Sequence, residues 1–318
     1  MQIKPSDKDI EIQYKTLKEI DFPPQVMVEL ICGCNLRCVM CPIGNDKITR
    51  ESGIMEFKLF QKIVDEIALE KNNTKLWTAV MGEPFLLGKR LFEYLQYAQL
   101  KNIPVFLNTN AVLIDKTSIE MIHQLGVKQV IVGIDAFTEE TYNKIRRGGN
   151  FKRVVDNIKY MIEQFKDKET EIILQYIVMD ENEDEIEDFK TYWLNEGATI
   201  KLRLKQGWGN LVGSALLTKK QEERNMPCPW LMRNLEILWN GNVCQCDGDM
   251  DGQYICGNVN EQSIKEIWQG EMKKRREKHY RGQFDFEPCN SCNDWQIPLS
   301  KFYYPDDTER SYFVDERK

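Results

Sequence analysis

Three closely spaced cysteines follow the first predicted strand of the chain. Cys34, Cys38 and Cys41 are four and then three residues apart, so their thiolates lie on one loop and can converge on a metal centre. Iron–sulfur clusters are held by cysteine thiolates, and a [4Fe–4S] cube takes one ligand per iron. Three ligands would leave one iron open to a substrate or cofactor, as catalytic zinc sites keep one position open. The spacing by itself also allows zinc binding.

Four further cysteines form a second group near the end of the chain. Cys228 and Cys246 flank Asn240-Gly241, a strong hairpin turn signal, and Cys289 and Cys292 form a Cys-x2-Cys pair. Four thiolates make a complete ligand set for a metal. On spacing alone, a structural four-cysteine zinc site is as good an interpretation as an iron–sulfur cluster.

The composition limits what else the chain can do. Only two of the 318 residues are histidines, in contexts that do not look catalytic, so cysteines, carboxylates, amines or a cofactor must supply the chemistry. The formal net charge of -7 argues against nucleic acid or an anionic membrane as a partner. No run approaches the ~20 apolar residues that span a bilayer, and the charged residues 1–18 lack a signal-peptide core. We therefore expect a cytoplasmic protein with reduced thiols.

Short β-rich runs alternate with segments of helical period between residues 25 and 205. This alternation predicts right-handed βαβ units around a parallel sheet. About six units are present, two fewer than in a complete (β/α)8 barrel, so we predict an α/β fold with a partial (β/α)6 TIM-type barrel. A smaller second domain, a β-hairpin plus a helix, is predicted for 206–300. Residues 1–24 form an N-terminal segment, and 301–318 form a tail without clear periodicity.

The unusual polar residues of the barrel stand where its strands end. They are Gly82, Glu83 and Pro84 after the second strand, Asn108, Thr109 and Asn110 after the third, Asp135 after the fourth, and Arg146 shortly beyond. Active sites of parallel α/β sheets gather at the carboxyl ends of the strands. We therefore expect these residues and the first cysteine group to meet at one site.

The Cys-x3-Cys-x2-Cys pattern after the first strand of a βα barrel resembles the radical S-adenosylmethionine (SAM) superfamily, and the strand-end residues strengthen the resemblance. It implies that the open iron chelates SAM. One electron would then cleave SAM to a 5′-deoxyadenosyl radical, which takes a hydrogen atom from the substrate. Met40 and Met81 depart from the family pattern, which commonly has an aromatic residue and a glycine at these positions.

The same resemblance implies roles for the strand-end residues. Glu83, with Gly82 and Pro84, would contact the SAM amino group, since a carboxylate pairs with a cation and accepts its N–H bonds. The segment 108–110 would lie near the SAM ribose. Asp135 and Arg146 match further cofactor-binding signatures of the family.

The second cysteine group resembles the SPASM/twitch extensions of radical SAM enzymes. The match includes Gly241 five residues before Cys246, the run 257–259, the pair Ile267-Trp268 and the final Cys-x2-Cys. It implies an auxiliary [4Fe–4S] cluster held by Cys228, Cys246, Cys289 and Cys292. Because no cysteine follows Cys292, we expect the short twitch form with one auxiliary cluster.

Within the superfamily, the resemblance extends to dehydrogenases that oxidise a secondary alcohol of an aminocyclitol. It implies oxidation of a cyclitol or sugar-like small molecule, with the auxiliary cluster accepting the second electron and a flavodoxin or ferredoxin as electron donor. Those enzymes have an arginine in the link between the domains where this chain has Gln206. Lys205 is therefore a candidate proton acceptor.

Two alternatives remain open. Cys32, Cys244 and Cys256 belong to neither cysteine group, and buried packing is the ordinary role of spare cysteines. An epimerase of a sugar or peptide would instead use Cys244 or Cys256 as a hydrogen donor. The other alternative is a non-catalytic metal-binding module.

Overall fold

The computed structural model describes residues 14–70, 73–213, 224, 226–296, 299–306 and 308–313. The strands are β1 (Gln25–Val28), β2 (Arg37–Cys38), β3 (Lys75–Trp77), β4 (Val105–Thr109), β5 (Gln129–Gly133), β6 (Arg146–Arg147), β7 (Glu171–Val178), β8 (Thr199–Leu204), β9 (Asn234–Ile237), β10 (Asn242–Cys244), β11 (Gly257–Asn258), β12 (Leu299–Tyr303) and β13 (Glu309–Phe313). The α-helices are α1 (Phe57–Leu69), α2 (Lys89–Leu100), α3 (Lys116–Gln124), α4 (Glu139–Ile145), α5 (Phe151–Phe165), α6 (Ile186–Asn195), α7 (Pro229–Arg233), α8 (Ile264–Gln269) and α9 (Glu271–Tyr280). Parts of the predicted N-terminal segment, second domain and tail lie outside the described residues.

Six parallel strands form the barrel part of the main sheet, in the order β1-β3-β4-β5-β7-β8. Every neighbouring pair in this run is parallel. All five residues of β5 are buried, as expected for a parallel strand that is covered on both faces. The prediction of a partial barrel with six parallel strands is confirmed.

The sheet extends beyond the barrel at both edges. On one side β9 pairs in parallel with β1, so that Glu236 lies beside Met27, and β10 and β11 follow as antiparallel strands. On the other side β12 pairs antiparallel with β8, and β13 pairs with β12. The hairpin predicted at Asn240-Gly241 is present between β9 and β10. The residues predicted as a second domain therefore continue the barrel sheet.

The tail, whose sequence shows no clear periodicity, contains β13 and most of β12 in its described part. Phe302 explains why β12 forms. Its side chain is fully buried against Trp77, Ile131 and Ile173, which belong to β3, β5 and β7. Burial of a phenylalanine stabilises by about 1.5–3 kcal/mol, and no short-range pattern in the tail reveals these distant partners.

Local chemistry defines the helices that lie between the strands. The Asp115 side chain accepts a hydrogen bond from the Ser118 amide at 2.8 Å and caps α3. In α5, Val154, Ile158 and Met161 recur at intervals of three or four residues and are buried on one face, which packs against β7. Because the barrel strands are parallel, their polar carboxyl ends lie together at one edge of the sheet.

Candidate active site

The first three cysteines lie on a loop that short backbone contacts hold in place. β2 pairs antiparallel with β6, which puts Cys38 opposite Arg146. The Asn45 side-chain amide donates to the carbonyls of Val39 and Cys41 at 2.9 and 2.8 Å. The loop is thus fixed at both sides by groups outside the cysteines themselves.

All three cysteines face one cavity of about 190 Å³, which we call the cysteine cavity. It is also lined by six of the residues predicted to bind the cofactor, namely Gly82, Glu83, Asn108, Thr109, Asn110 and Arg146. Met40 also lines the cavity, whereas Met81, Pro84 and Asp135 are not among the described residues that line it. The structure therefore brings most of the predicted cofactor residues together with the thiols.

Gly82 allows the second barrel strand to approach the cysteine loop closely. A Cβ atom on Gly82 would lie 2.2 Å from the carbonyl oxygen of Ile31, so any other residue would clash with the backbone there. Next to it, the Glu83 amide donates to the Gly33 carbonyl at 2.9 Å. These contacts place Glu83 beside the loop that holds Cys34.

Glu83 is a buried acid with three internal hydrogen-bond partners. One carboxylate oxygen accepts from the Thr109 hydroxyl at 2.8 Å and from the Phe85 amide at 3.2 Å, and the other accepts from the Asn110 amide at 2.7 Å. Burial raises the pKa of Glu83, while these hydrogen bonds oppose the shift. A carboxylate has about four acceptor sites, so this arrangement leaves capacity for a ligand donor.

Asp135 lies behind the cavity wall and positions Arg146. Its carboxylate is fully buried, accepts from the Arg146 Nε at 2.8 Å and accepts from the Ile177 amide at 2.7 Å. Gly133 makes room for the arginine, because a Cβ atom there would lie 2.2 Å from a guanidinium nitrogen. The structure thus places Arg146, and not Asp135, at the cavity surface.

The position of the three thiols suits a metal cluster. Cys38 is buried, Cys34 and Cys41 are half-buried, and all three line the same cavity. Burial raises the pKa of Cys34 and Cys41, and it raises the pKa of Cys38 to about 12. Thiolates are the metal-binding form, so a metal centre at this cavity would lower these pKa values. Three such thiols beside a cavity suit a [4Fe–4S] cluster with one iron open to a ligand.

The second cysteine group comes together from three separate segments. Cys228 directly precedes α7, Cys246 follows β10, and the other two lie in the segment after α9. Burial, and then the thiols of Cys228, Cys289 and Cys292, raise the pKa of Cys246 well above its ordinary value. The other three thiols are thus neighbours of Cys246, as a site with one ligand per iron would require. In the part of the chain that the structure describes, no group of three or more His, Cys, Asp or Glu side chains is placed to hold a single metal ion.

His279 belongs to this site, although the sequence analysis found no functional context for it. Its Nδ1 accepts from the Cys228 amide at 3.2 Å, and its Nε2 lies 3.3 Å from the Cys289 sulfur. Burial lowers the pKa of His279 to about 3, so the ring is neutral and the proton sits on Nε2, facing the sulfur. The Gln245 amide also donates to that sulfur at 3.2 Å. The only sequence signal was the position of His279 ten residues before a predicted ligand.

The link between the two cysteine groups is tied to both of them. Gly207 and Gly209 belong to this link, and Asp294 lies two residues beyond Cys292. The buried Asp294 carboxylate accepts hydrogen bonds from the amides of Gly207 and Gly209 at 2.6 and 2.8 Å. The Trp208 indole donates to the Met40 carbonyl at 3.0 Å. The link therefore closes over the cysteine loop.

A second cavity of about 120 Å³ lies next to the cysteine cavity, and we call it the barrel cavity. The two share the lining residues Ala79, Val80, Asn108, Ile131, Gln175, Arg203 and Trp208. The other walls of the barrel cavity combine apolar and polar side chains, namely Met27, Trp77, Trp230 and Met250 with Gln25, Lys201, Gln206, Asn234, Glu236, Asp247 and Ser300. Lys205, Cys244 and Cys256 are not among the described residues that line either cavity.

Glu236 and Asp247 are acids of the barrel cavity that the sequence analysis missed. The available signal was the alternation in β9, where Asn234 and Glu236 point to one face and Leu235 and Ile237 to the other. Burial, and then the Asp247 carboxyl, raise the pKa of Glu236 well above its ordinary value. Asp247 accepts a hydrogen bond from the Asn234 amide at 2.8 Å.

This fold, with a cysteine loop at the strand ends, matches two family models. The model of the radical SAM superfamily matches residues 28–192, and the iron–sulfur cluster-binding SPASM model matches residues 228–293. The chain belongs to the radical SAM superfamily. It is an enzyme of that class whose cofactors are [4Fe–4S] clusters and SAM, and the zinc interpretation of the cysteines was wrong.

Curated relatives match over the barrel region. A GTP 3′,8-cyclase of Clostridium botulinum strain Hall is 30% identical over 162 residues, which cover 49% of this chain and 48% of the relative. The tungsten-containing aldehyde ferredoxin oxidoreductase cofactor-modifying protein of Pyrococcus furiosus is 24% identical over 179 residues, covering 55% of this chain and 49% of the relative. The chain thus spans about half the length of these relatives.

Solved structures match over most of the chain. BtrN in complex with AdoMet and 2-DOIA, the 2-deoxy-scyllo-inosamine dehydrogenase, aligns with a TM-score of 0.59 and 19% identity, covering 85% of this chain and 92% of BtrN. Streptococcus suis SuiB bound to S-adenosylmethionine aligns with a TM-score of 0.66 and 15% identity, covering 91% and 75%. At these identities the likeness establishes the fold.

In the described residues, no helix has both the length and the apolar character needed to cross a membrane.

Proposed function

We propose that this radical SAM enzyme oxidises a secondary alcohol carbon of a cyclitol or sugar-like small molecule. The observation that carries the proposal is the barrel cavity, which shares a wall with the cysteine cavity and has a volume of about 120 Å³. A cavity of about 150 Å³ accommodates a benzene ring, so the barrel cavity is on the scale of one small ring, and a hydroxylated ring would also need part of the adjoining cysteine cavity. Its amide, carboxyl and cationic lining offers several partners for ring hydroxyls.

When bound, SAM and the iron–sulfur cluster supply a 5′-deoxyadenosyl radical that abstracts hydrogen. The chain's own residues bind and orient the two reactants. Asn108, Arg203 and Trp208 line both cavities and would fix the distance between SAM and substrate. Cys34, Cys38 and Cys41 would hold the first cluster, and Glu83 would receive the SAM amino group through the acceptor capacity that its internal partners leave.

Oxidation of an alcohol to a ketone removes a hydrogen atom, a proton and an electron. Asp247 is a cavity residue that directly follows Cys246, so the substrate wall adjoins the second cysteine group, which would hold the auxiliary cluster in residues 206–300. Lys205, predicted as proton acceptor, is half-buried and does not line the cavity, whereas the nearby Arg203 and Gln206 do. The hydroxyl proton would then pass to a carboxyl group of the cavity wall.

The state of the thiols supports a proposal for the physiological setting. None of the ten cysteines forms a disulfide. We propose a cytoplasmic enzyme that receives its electrons from a flavodoxin or ferredoxin, because reduced thiols and a low-potential donor belong to that compartment.

Product analysis of the anaerobically reconstituted enzyme tests the proposal. SAM, dithionite and a panel of cyclitols, sugars and peptides would be incubated in deuterated water, and products identified by mass spectrometry. We expect a carbonyl product, two mass units lighter than its substrate, with no deuterium returned at the reacting carbon. A redox-neutral product carrying one deuterium would establish an epimerase instead, and a modified peptide would overturn the small-molecule substrate.

A further inference from the structure

Three buried acceptor atoms on β9 have no partner in the described structure. They are both carboxylate oxygens of Glu236 and the side-chain oxygen of Asn234. Each residue is 1% exposed, and both line the barrel cavity. An unsatisfied buried polar group costs about 1–3 kcal/mol, so three in one place indicate a site that a ligand completes.

The orientation of the Asn234 amide follows from its neighbours. Its nitrogen lies 2.8 Å from an Asp247 carboxylate oxygen and 3.4 Å from the Met27 sulfur, both of which accept hydrogen bonds. The nitrogen is therefore the donor in these contacts, and the carbonyl oxygen is the atom left without a partner. Glu236 shares the same face of the strand, two residues on.

The chemistry of this cluster selects its ligand. All three atoms accept hydrogen bonds, and none donates once a bound cation has favoured the ionised form of Glu236. A primary ammonium offers three N–H donors and no acceptor, whereas a hydroxyl offers one donor. We propose that Glu236 and Asn234 bind the ammonium group of an amine-bearing substrate. This deepens the proposed function and rests on it only in taking the barrel cavity as the substrate site.

The cations of the cavity lie away from this acceptor cluster. Arg203 donates to the side-chain oxygens of Gln175 and Gln206 at 3.1 and 2.6 Å. Arg203 and Lys201 belong to β8, and five strands separate β8 from β9 in the sheet order. The acceptor cluster and the cations therefore stand on different walls, so one ring can present an ammonium to β9 and oxygen atoms to β8.

Binding of two fragments tests the proposal without turnover. Cyclohexylamine is an ammonium at neutral pH, and cyclohexanol is its neutral counterpart with the same ring. Isothermal titration would use the reconstituted enzyme with SAM and without reductant. We expect the amine to bind at least tenfold more tightly than the alcohol, and Glu236→Gln to remove that preference. Glu261→Gln, an exposed acid of the same region, is the control and should keep it.

Several results would overturn the subsite. They are no amine binding at about 50 mM, equal binding of the two fragments, or an unchanged preference in Glu236→Gln. Glu236→Met, which keeps the length and lacks acceptors, repeats the test in case the first variant folds poorly, with iron content as the check. Product analysis is a separate readout. Amine binding without a carbonyl product would support this subsite and reject the alcohol oxidation. A carbonyl product without any preference for the amine would support the oxidation and reject the subsite.

Discussion

Glu83 and Glu236 are both buried acids on a cavity wall, but their surroundings differ completely. Glu83 accepts three hydrogen bonds from Phe85, Thr109 and Asn110. Glu236 accepts none within the described chain. A group with internal partners is held in position before any ligand arrives, which suits a cofactor that is the same in every turnover. A group without partners must find them on its ligand, which suits recognition of a particular substrate.

The largest expected difference between the cysteine cavity and the barrel cavity comes from removing the three thiols of the cysteine cavity. Replacing Cys34, Cys38 and Cys41 with alanine should abolish reductive SAM cleavage, because no thiolate remains to hold the cluster whose open iron would bind SAM. Roughly four irons per chain should remain at the second cysteine group, one per thiolate. Iron analysis and measurement of 5′-deoxyadenosine check both expectations. Cys32→Ala should keep SAM cleavage, whereas 5′-deoxyadenosine from the triple variant would refute the assignment.

Glu83→Gln should weaken SAM binding by tenfold or more. A neutral amide loses charge-assisted hydrogen bonds worth about 1.5–3 kcal/mol, and its NH2 group would face a donor now bonded to the carboxylate. Equilibrium binding of SAM without reductant measures the change. The matched variant Glu236→Gln should bind SAM as the unaltered protein does. Equal losses in both variants would break the division into a cofactor acid and a substrate acid.

Glu236→Gln should also change how stability depends on pH. The pKa of Glu236 is raised in the folded protein, so the unfolded chain releases this proton first as the pH rises above about 4.3. Its ionisation then favours unfolding up to the folded pKa, and glutamine removes this penalty. We expect the Tm of the variant to exceed that of the unaltered protein by a margin that grows by about 1–3 °C between pH 5 and pH 8.

The control for this pH series is Glu261→Gln, whose Tm difference should stay flat because the side chain is exposed. Scanning calorimetry of the reconstituted proteins measures both variants. A margin for Glu236→Gln that shrinks as the pH rises would mean that the carboxylate is stabilised inside the folded protein.

The smallest effects are expected for Lys205→Met, Cys244→Ala and Cys256→Ala. None of the three side chains lines either cavity in the described structure, and burial raises the pKa of Cys256 to about 12, as expected of a structural thiol. Turnover should stay within about twofold of the unaltered enzyme, measured as product per 5′-deoxyadenosine. Loss of turnover in one cysteine variant, together with deuterium in the product, would identify that thiol as a hydrogen donor and support an epimerase.

Short-range patterns predicted which strand-end residues would meet the first cysteine group, and their cofactor-binding roles stay a prediction. The cysteine spacing, the Gly82-Glu83 pair and the 108–110 segment each occupy a single loop at a strand end, and parallel strands bring their carboxyl ends to one edge. The structure gathers these residues around the cysteine cavity. Asp135 was placed less well, because its partner Arg146 and the Ile177 amide come from other elements.

Residues that act through distant partners were missed. His279 sits in a basic run that looks like a solvated helix face, and only the packing of α9 brings it to the Cys289 sulfur. The partners of Phe302 lie on three strands of the barrel. Neither contact leaves a periodic signal, because each depends on how elements pack and not on their local period.

The sequence by itself determined the enzyme class, since the spacing of three thiols on one loop is a local property that the chain specifies wherever the loop is placed. The tertiary structure alone decided the composition of the barrel cavity wall. β9 lies beside β1, about two hundred residues away in the chain, and this pairing turns Glu236 into the barrel next to Met27. Whether a buried acid has partners depends on every element packed around it, so the contrast between Glu83 and Glu236 emerges only once the chain has folded.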